Sequence, residues 1–330
     1  MISKINSTIQ KHLLIKKNDS VLLAVSGGPD SVAMSSVFKK LQRDYGLKVG
    51  IAYFNHGIRK ESDSEAEFVK KLASDSGVPF YTSKADIPGI AKDEKRSLEE
   101  TARIRRYQFL IQTAKKNGYQ KIAVAHNSDD QVETFLHRLI RGAGLKGLTG
   151  ISYKVNMQGI EIIRPLLNCS REEIEFYLGK FKIKYCLDES NYEVKFTRNK
   201  IRHKLLPFLE KEYNPNIKNV LYNTAENIQQ AYGFIEKETE GAFKRYVKKE
   251  GSCVKIKTDN LKKIHPYILK EIVRKAVAEV KGDLLRFEYA HWMEIESLLY
   301  ERPQSSIVDL PQGVWVKKVK GWLIIARREE

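Results

Sequence analysis

Short apolar runs alternate with amphipathic stretches through the first half of the chain. Val21–Val25 reads as a buried strand, followed by a helical pattern from about Asp30 to Arg43. Val49–Phe54 predicts a second strand. A helix over Ser62–Ser76 opens with the capping box Ser62-x-x-Glu65. Pro79–Thr82 predicts a third, weaker strand, and a long helix follows Ser97, whose partner Glu100 makes a second box. Ile122–Ala125 and Asp129–Ile140 predict a fourth strand and its helix. Strands alternating with helices predict an α/β, Rossmann-like parallel sheet with right-handed crossovers and helices on both faces.

After residue 150 the rhythm changes. Ile160–Ile163 predicts a short strand, and a helix begins at Ser170 with a box to Glu173. Thr197–Lys249 reads as mostly helical, broken at Asn214-Pro215-Asn216. Helices over Pro266–Val280 and Phe287–Leu299 precede a terminal hairpin, Val314–Lys318 with Trp322–Ala326. The pattern predicts two domains, 1–213 and a smaller, mainly helical 214–330 that ends in the hairpin.

Composition narrows the class. A length of 330 residues suffices for two cores, and a hydrophobic share of 42% is too high for a disordered chain. The best apolar stretch, Ser20–Phe38, is interrupted by Gly27, Gly28, Pro29 and Asp30, so no membrane span is expected. The three cysteines, Cys169, Cys186 and Cys253, form no Cys-x-x-Cys pair, which leaves neither a disulfide framework nor a zinc ribbon. With no cleavable-signal pattern at the N-terminus, a cytoplasmic location is expected. A net charge of +17 fits either a lysine-rich surface or a polyanion partner. Lys195, Arg198, Lys200, Arg202 and Lys204 form an acid-free basic run, where such a partner would find its positive charge.

Ser26-Gly27-Gly28-Pro29-Asp30-Ser31 follows a strand and starts a helix. Glycines let the backbone approach a phosphate, and a helix N-terminus aims its amides at the same place. Ser26 and Ser31 add hydroxyls, and Pro29 suits the first helical turn. Asp30 among phosphates calls for a bridging cation, here Mg²⁺. The run is not a Walker A loop, which ends in Gly-Lys-Ser/Thr. Gly142-Ala143-Gly144-Leu145-Lys146-Gly147 matches a dinucleotide fingerprint but follows a helix, so a flexible loop beside the site is expected.

In an open parallel sheet ligands sit beyond the carboxyl ends of the strands. Asn55 and His56 follow the second strand and His126 the fourth, which makes them candidates for the same nucleotide crevice. Asp129, Asp130 and Glu133 begin one helix, Glu133 lying one turn on and beside both aspartates, either compensating its dipole or holding a metal ion or cationic substrate. His56, His126 and His137 match no standard zinc spacing. On the helix after Ser97, one of Arg103, Arg105 and Arg106 is expected to meet a phosphate, with Arg103 the candidate catalytic residue.

The phosphate run resembles the loop of the N-type ATP pyrophosphatases (PP-loop ATPases). The wider pattern resembles the tRNA(Ile)-lysidine synthetases. It comprises Asn55-His56-Gly57-Ile58-Arg59 with Glu61, Ser62 and Glu65-Ala66-Glu67; Leu98-Glu99-Glu100 with Arg103, Arg106 and Tyr107; and Ala125-His126-Asn127 with Asp129-Asp130-Gln131, Glu133 and Thr134. It continues through Arg138–Gly142, Arg164-Pro165-Leu166-Leu167, Asp188, Ser190 and Asn191, and Thr197-Arg198-Asn199 with Ile201-Arg202. The match spans roughly residues 20–215, and the last third is similar to the family's tRNA-binding domain more loosely. The chain is expected to be a short form, without the additional C-terminal domain of longer members.

The resemblance implies a ligase that uses ATP and free L-lysine on an isoleucine tRNA with a CAU anticodon. ATP adenylates the C2 oxygen of the wobble cytidine, and lysine displaces AMP to leave lysidine, so that codon and amino-acid identity change from Met to Ile. It implies that Asp30, Asp129, Asp130, Glu133 and Arg103 are catalytic, with the three carboxylates of 129–133 binding lysine. Ser26 to Ser31, Asn55, His56 and His126 would bind ATP, and Arg198, Lys200, Arg202 and Lys204 the tRNA. The alternatives are a cytidine 2-thiolase, which would need the cysteine pair this chain lacks, and an RNA-binding protein with a dead nucleotide site. The sequence leaves the oligomeric state open, a homodimer included.

Overall fold

The computed structural model describes residues 1–57, 62–186, 197–259 and 261–328. Ile58, Arg59, Glu61, Asp188, Ser190, Asn191 and Lys195, and the side chain of Ser62 expected to cap a helix, lie outside the described residues. The chain divides into two compact units, residues 1–228 and 229–330.

In the first unit, α1 (Ile2–His12) precedes β1 (Ser20–Ala24), α2 (Pro29–Tyr45), β2 (Lys48–Asn55), α3 (Ser62–Asp75), β3 (Phe80–Lys84), α4 (Ile87–Asp93), α5 (Leu98–Asn117) and β4 (Lys121–Ala123). Then come α6 (Ser128–Ile140), the one-turn α7 (Leu145–Leu148), β5 (Lys154–Met157), β6 (Ile160–Ile163) and α8 (Arg171–Lys180). The strands form one sheet in the order β3-β2-β1-β4-β6-β5, parallel except for β5, which runs antiparallel to β6.

Successive residues of a strand face opposite sides. Val21 and Leu23 accordingly join Val32, Phe38, Val69 and Ile174 of α2, α3 and α8 in one core layer. Leu22 joins Leu110, Ile111 and Ala114 of α5 on the other face. The expected three-layer arrangement is therefore present. Because β2 and β3 extend the sheet on one side of β1 and β4 on the other, the chain reverses direction between β1 and β4, where such sheets open a crevice.

Of the capping boxes, Ser97 forms its serine half, accepting from the Glu100 N–H at 3.3 Å, and Ser170/Glu173 is reciprocal. A further box that the sequence reading missed joins Asn127 and Asp130 at the start of α6. The Gly142–Gly147 stretch, expected to be a flexible loop, contains α7 and is stapled by Arg138. That guanidinium donates to the carbonyls of Gly147 and Gly150 at 2.8 and 2.7 Å.

The chain continues through α9 (Thr197–Lys200), a π-helical turn (Ile201–Leu205), α10 (Leu206–Glu212) and α11 (Ile217–Tyr246). Pro207 lacks an N–H and crowds the carbonyl four residues before it, and a widened turn relieves both problems. The expected boundary at 213/214 coincides with the gap between α10 and α11, whereas the compact units divide inside α11.

The second unit holds β7 (Val247–Glu250), β8 (Cys253–Lys257), α12 (Pro266–Lys281), α13 (Tyr289–Tyr300), β9 (Ile307–Asp309), β10 (Val314–Val319) and β11 (Trp322–Arg327). Val247–Lys249, expected to end a helical region, is instead strand, turned back at Gly251 into β8. The terminal hairpin lies within a five-stranded antiparallel sheet, β7-β8-β11-β10-β9. Ile272 and Val273 of α12 and Trp292 and Ile295 of α13 share a core with Ile256, Val316, Leu323 and Ile325 of that sheet.

Candidate functional site

The turn from β1 into α2 is closed by its own side chains. Ser31 Oγ accepts from the Ser26 N–H at 3.1 Å, lies 3.3 Å from Ser26 Oγ, and donates to the Gly28 carbonyl at 2.9 Å. Gly27 has φ +87°, the left-handed region that glycine enters without strain. Its carbonyl accepts from the Cys186 N–H at 2.9 Å, and a Cβ at Gly27 would stand 3.4 Å from Cys186 Sγ. Gly28 caps α2 and Pro29 occupies its first turn, which leaves the helix N-terminus facing outward from the strand end.

Beyond this turn lies a cavity of about 400 Å³, within the size range of small-molecule sites. Ser26, Gly28, Asp30 and Ser31 line it, with Tyr53, His56 and Glu65 from the β2 side, Arg106 from α5 and His126 after β4. The three strand ends singled out in the sequence thus meet in one crevice. Asn55 plays a different part. Its side chain donates to Asp63 and accepts from the Gly57 N–H, both at 2.9 Å, and so fixes the turn that carries His56. The Tyr53 hydroxyl donates to Glu65 at 3.0 Å.

Among the α5 arginines, it is Arg106 that lines the crevice. Its Nε is buried without a hydrogen-bond partner among the described residues, and burial lowers its pKa. A half-buried guanidinium lining a crevice suits an anion. Arg103 is exposed, its guanidinium carbon 5.7 Å from the Tyr107 ring centre. His126 Nδ1 accepts from Arg164 Nε at 3.3 Å. Burial, and then the positive charge of Arg164, hold the His126 pKa well below 6.5, so it is neutral near pH 7.

Asp30 accepts from Asn127 Nδ2 at 3.2 Å and from Arg171 Nη1 at 2.7 Å. Burial raises its pKa, Arg171 opposes that rise, and Asp130 adds to it. Arg171 is a junction absent from the sequence reading. Its guanidinium also reaches Glu175 at 2.6 Å, and its N–H donates to Asp129 Oδ2 at 2.8 Å. Magnesium ordinarily takes one or two carboxylates and completes its shell with water and substrate phosphates. A single carboxylate, Asp30, at the phosphate turn fits that mode.

The three carboxylates of α6 separate. Asp129 turns to the N-terminus of α8 and stands 3.7 Å from Lys218 Nζ. Asp130 closes the capping box and accepts from Arg198 Nη2 at 2.8 Å. Glu133, only 1% exposed, accepts from Arg198 Nε at 2.8 Å and from Arg202 Nε at 2.5 Å and Nη2 at 3.1 Å. Burial works against the charge on both arginines. The carboxylates more than offset it, led by Asp130 for Arg198 and by Glu133 for Arg202, and both pKa values are raised. Residues assigned separately to RNA and to an amino-acid substrate are therefore joined in one ion-pair cluster, while Lys200 and Lys204 remain exposed.

Residues 1–209 match the PP-loop domain family model. The chain is 35% identical over 331 aligned residues to a tRNA(Ile)-lysidine synthase of Clostridioides difficile, covering 100% of this chain and 71% of that one. It is 37% identical to the tRNA(Ile)-lysidine synthase of Caldanaerobacter subterraneus subsp. tengcongensis, covering 100% and 70%. A U34-tRNA thiolase, NcsA, from Methanococcus maripaludis shares the fold with a TM-score of 0.58 at 19% identity, over 69% of this chain and 78% of that chain. No helix among the described residues is long and apolar enough to cross a membrane.

Proposed function

The chain belongs to the tRNA(Ile)-lysidine synthase family of PP-loop ATP-using enzymes, and from that premise we propose how its residues divide the reaction. The reaction is the ATP-dependent attachment of lysine to C2 of the wobble cytidine of an isoleucine tRNA. Oxide is a poor leaving group, and transfer of AMP to the C2 oxygen turns it into a good one, with pyrophosphate released.

The phosphate turn, Ser26 to Ser31, receives the polyphosphate at the N-terminus of α2. Asp30 would hold Mg²⁺, which would supply charge neutralisation on the phosphates. Arg106, which lines the crevice, stabilises charge developing on the α-phosphate. His56 and His126 line the nucleotide, and neutral His126 leaves the positive charge to the arginines.

The amine of free lysine has a pKa near 10.4 and must lose a proton before it attacks. Asp129, Asp130 and Glu133 form the acidic wall that receives it. Asp129 is the member an ammonium group reaches without displacing a guanidinium, and Lys218 Nζ beside it supports that reading. Glu133 and Asp130 fix Arg198 and Arg202, which with Lys200 and Lys204 receive RNA phosphates. Residues 214–330 serve tRNA recognition, and the work takes place in the cytoplasm, where the tRNA pool is.

The observation that carries this reading is the crevice, in which the PP-loop turn, His56, Arg106 and His126 converge. The test is mass spectrometry of nucleosides from isoleucine tRNA incubated with the protein, ATP and isotope-labelled lysine. Labelled lysidine is expected, and cytidine left unmodified while ATP is hydrolysed would sink the assignment.

A further inference from the structure

The helical stretch from α9 to α10 has two unlike faces. Ile201, Leu205 and Leu206 pack with Val132 and Leu136 of α6. On the other side Lys200, Lys204, Phe208 and Lys211 are exposed, and Tyr213 follows the end of α10. Phe208 is 51% exposed and Tyr213 72%. Their rings lie edge to face, with centres 5.6 Å apart and planes at 66°.

A large ring left in water forgoes roughly 25 cal/mol for every Å² it could have buried. Neither ring contributes to a core of this unit. Lys211 is paired with Glu212 at 3.1 Å, and the two adjacent exposed rings with Lys200 and Lys204 have the composition of a surface that stacks bases and neutralises phosphates. An apolar protein partner would bury the rings but strand the lysine charges, whereas a polyanion with flat rings satisfies both.

We propose that Phe208 and Tyr213 form a stacking platform for an unpaired nucleotide of the substrate RNA, with Lys200 and Lys204 taking the flanking phosphates. The proposal rests on the reading that the substrate is a tRNA. Bases in an RNA loop can splay out and offer their faces to aromatic side chains.

The test compares wild type with Phe208→Leu/Tyr213→Leu, which keeps apolar bulk and loses both rings. Binding of an isoleucine tRNA transcript is followed by fluorescence anisotropy across a salt series, with the thermal midpoint measured alongside. The double variant should keep its midpoint and bind roughly 5- to 150-fold more weakly for each base that loses its stacking partner. The log–log salt slope should not change, because a ring releases no counterions. Lys200→Ala/Lys204→Ala should lower that slope by roughly 0.7 to 0.9 per lysine. Phe208→Trp, which keeps a ring, should bind as wild type does. Unchanged affinity in the leucine variant, or a loss that appears as a changed slope, overturns the platform. So does sedimentation showing a wild-type dimer that the leucine variant dissociates, since the patch is then an interface between copies. Wild type that binds no tRNA at any salt overturns the substrate reading itself, a result distinct from all of these.

Discussion

The phosphate turn and the α6 ion-pair cluster follow adjacent strands of the same sheet, β1 and β4, but are built over different distances in sequence. Ser26, Gly28 and Ser31 bond one another within six consecutive residues. Glu133 is held by Arg198 and Arg202, which lie 65 and 69 residues further along the chain. The turn presents backbone amides whose chemistry is the same in any sequence that can adopt the geometry. The cluster presents side-chain charges whose meaning depends on what the fold brings opposite them. A carboxylate that is 1% exposed must have a partner, because an unpaired buried charge is strongly unfavourable. Here the partners are the arginines that composition alone would direct to RNA.

The largest effect is expected at the turn. Asp30→Ala should lower tRNA-dependent pyrophosphate release by about a hundred- to a thousandfold, the scale of losing one aligned electrostatic contact in a transition state. RNA affinity, which rests on distributed basic contacts, should change little. Normal turnover in this variant would remove Asp30 from the nucleotide site.

At the cluster, Glu133→Gln should destabilise the protein as well as slow it. Removing one member of a buried pair costs about 3–5 kcal/mol. Arg198 and Arg202 are 36% and 38% exposed, and glutamine still accepts one hydrogen bond, so about 2 kcal/mol is the better expectation. That corresponds to a fall in Tm of roughly 4–8 °C. If Glu133 serves lysine attack alone, rapid-quench trapping should show AMP-labelled tRNA accumulating in the variant, with a raised lysine requirement. Equal loss of adenylation and lysidine formation would assign Glu133 to the nucleotide half-reaction.

The same contrast explains how much was legible beforehand. The parallel sheet follows from local periodicity, and the phosphate turn from six adjacent residues whose spacing is its geometry. Arg171 was missed because its role is distributed, with a side chain on Asp30 and a backbone N–H on Asp129. The choice of Arg106 over Arg103 as the lining residue depends on which way α5 faces the sheet, and three arginines within four positions hide that. In the second unit, β7 is short and charged, and β8 alternates over only two buried apolar residues, Val254 and Ile256, too short a run to stand out. β8 is placed by pairing with β11, and β7 by pairing with β8.

A smaller effect distinguishes the neutral wall of the crevice from its charged ones. His126 has a folded-state pKa below its ordinary value. As pH falls through about 6.5 the unfolded chain takes up a proton that the folded chain refuses, so stability declines with acidity until the folded imidazole also titrates. One such group contributes a slope of at most about 1.4 kcal/mol per pH unit. Urea unfolding at pH 7.5 and 5.5 should show a larger acid loss for wild type than for His126→Asn. Equal losses would mean that His126 is not the group responsible.

The smallest effect isolates what pre-pairing does to an arginine. Lys200 and Lys204 are exposed, and each phosphate they contact should release counterions and add roughly 0.7 to 0.9 to the salt slope of RNA binding. Arg198 and Arg202 begin in bonds to Asp130 and Glu133, so part of their charge is already neutralised before RNA arrives. Replacing both arginines by glutamine should therefore lower the slope by less than replacing both lysines, even though arginine is ordinarily the better phosphate ligand. Anisotropy titrations of an isoleucine tRNA over a salt series measure both slopes directly. A larger drop for the arginine pair would mean that RNA draws them off the carboxylates on binding. Glu133 and Asp130 would then be free to meet the lysine ammonium in the complex, and the acidic wall would be assembled by the substrate rather than by the fold.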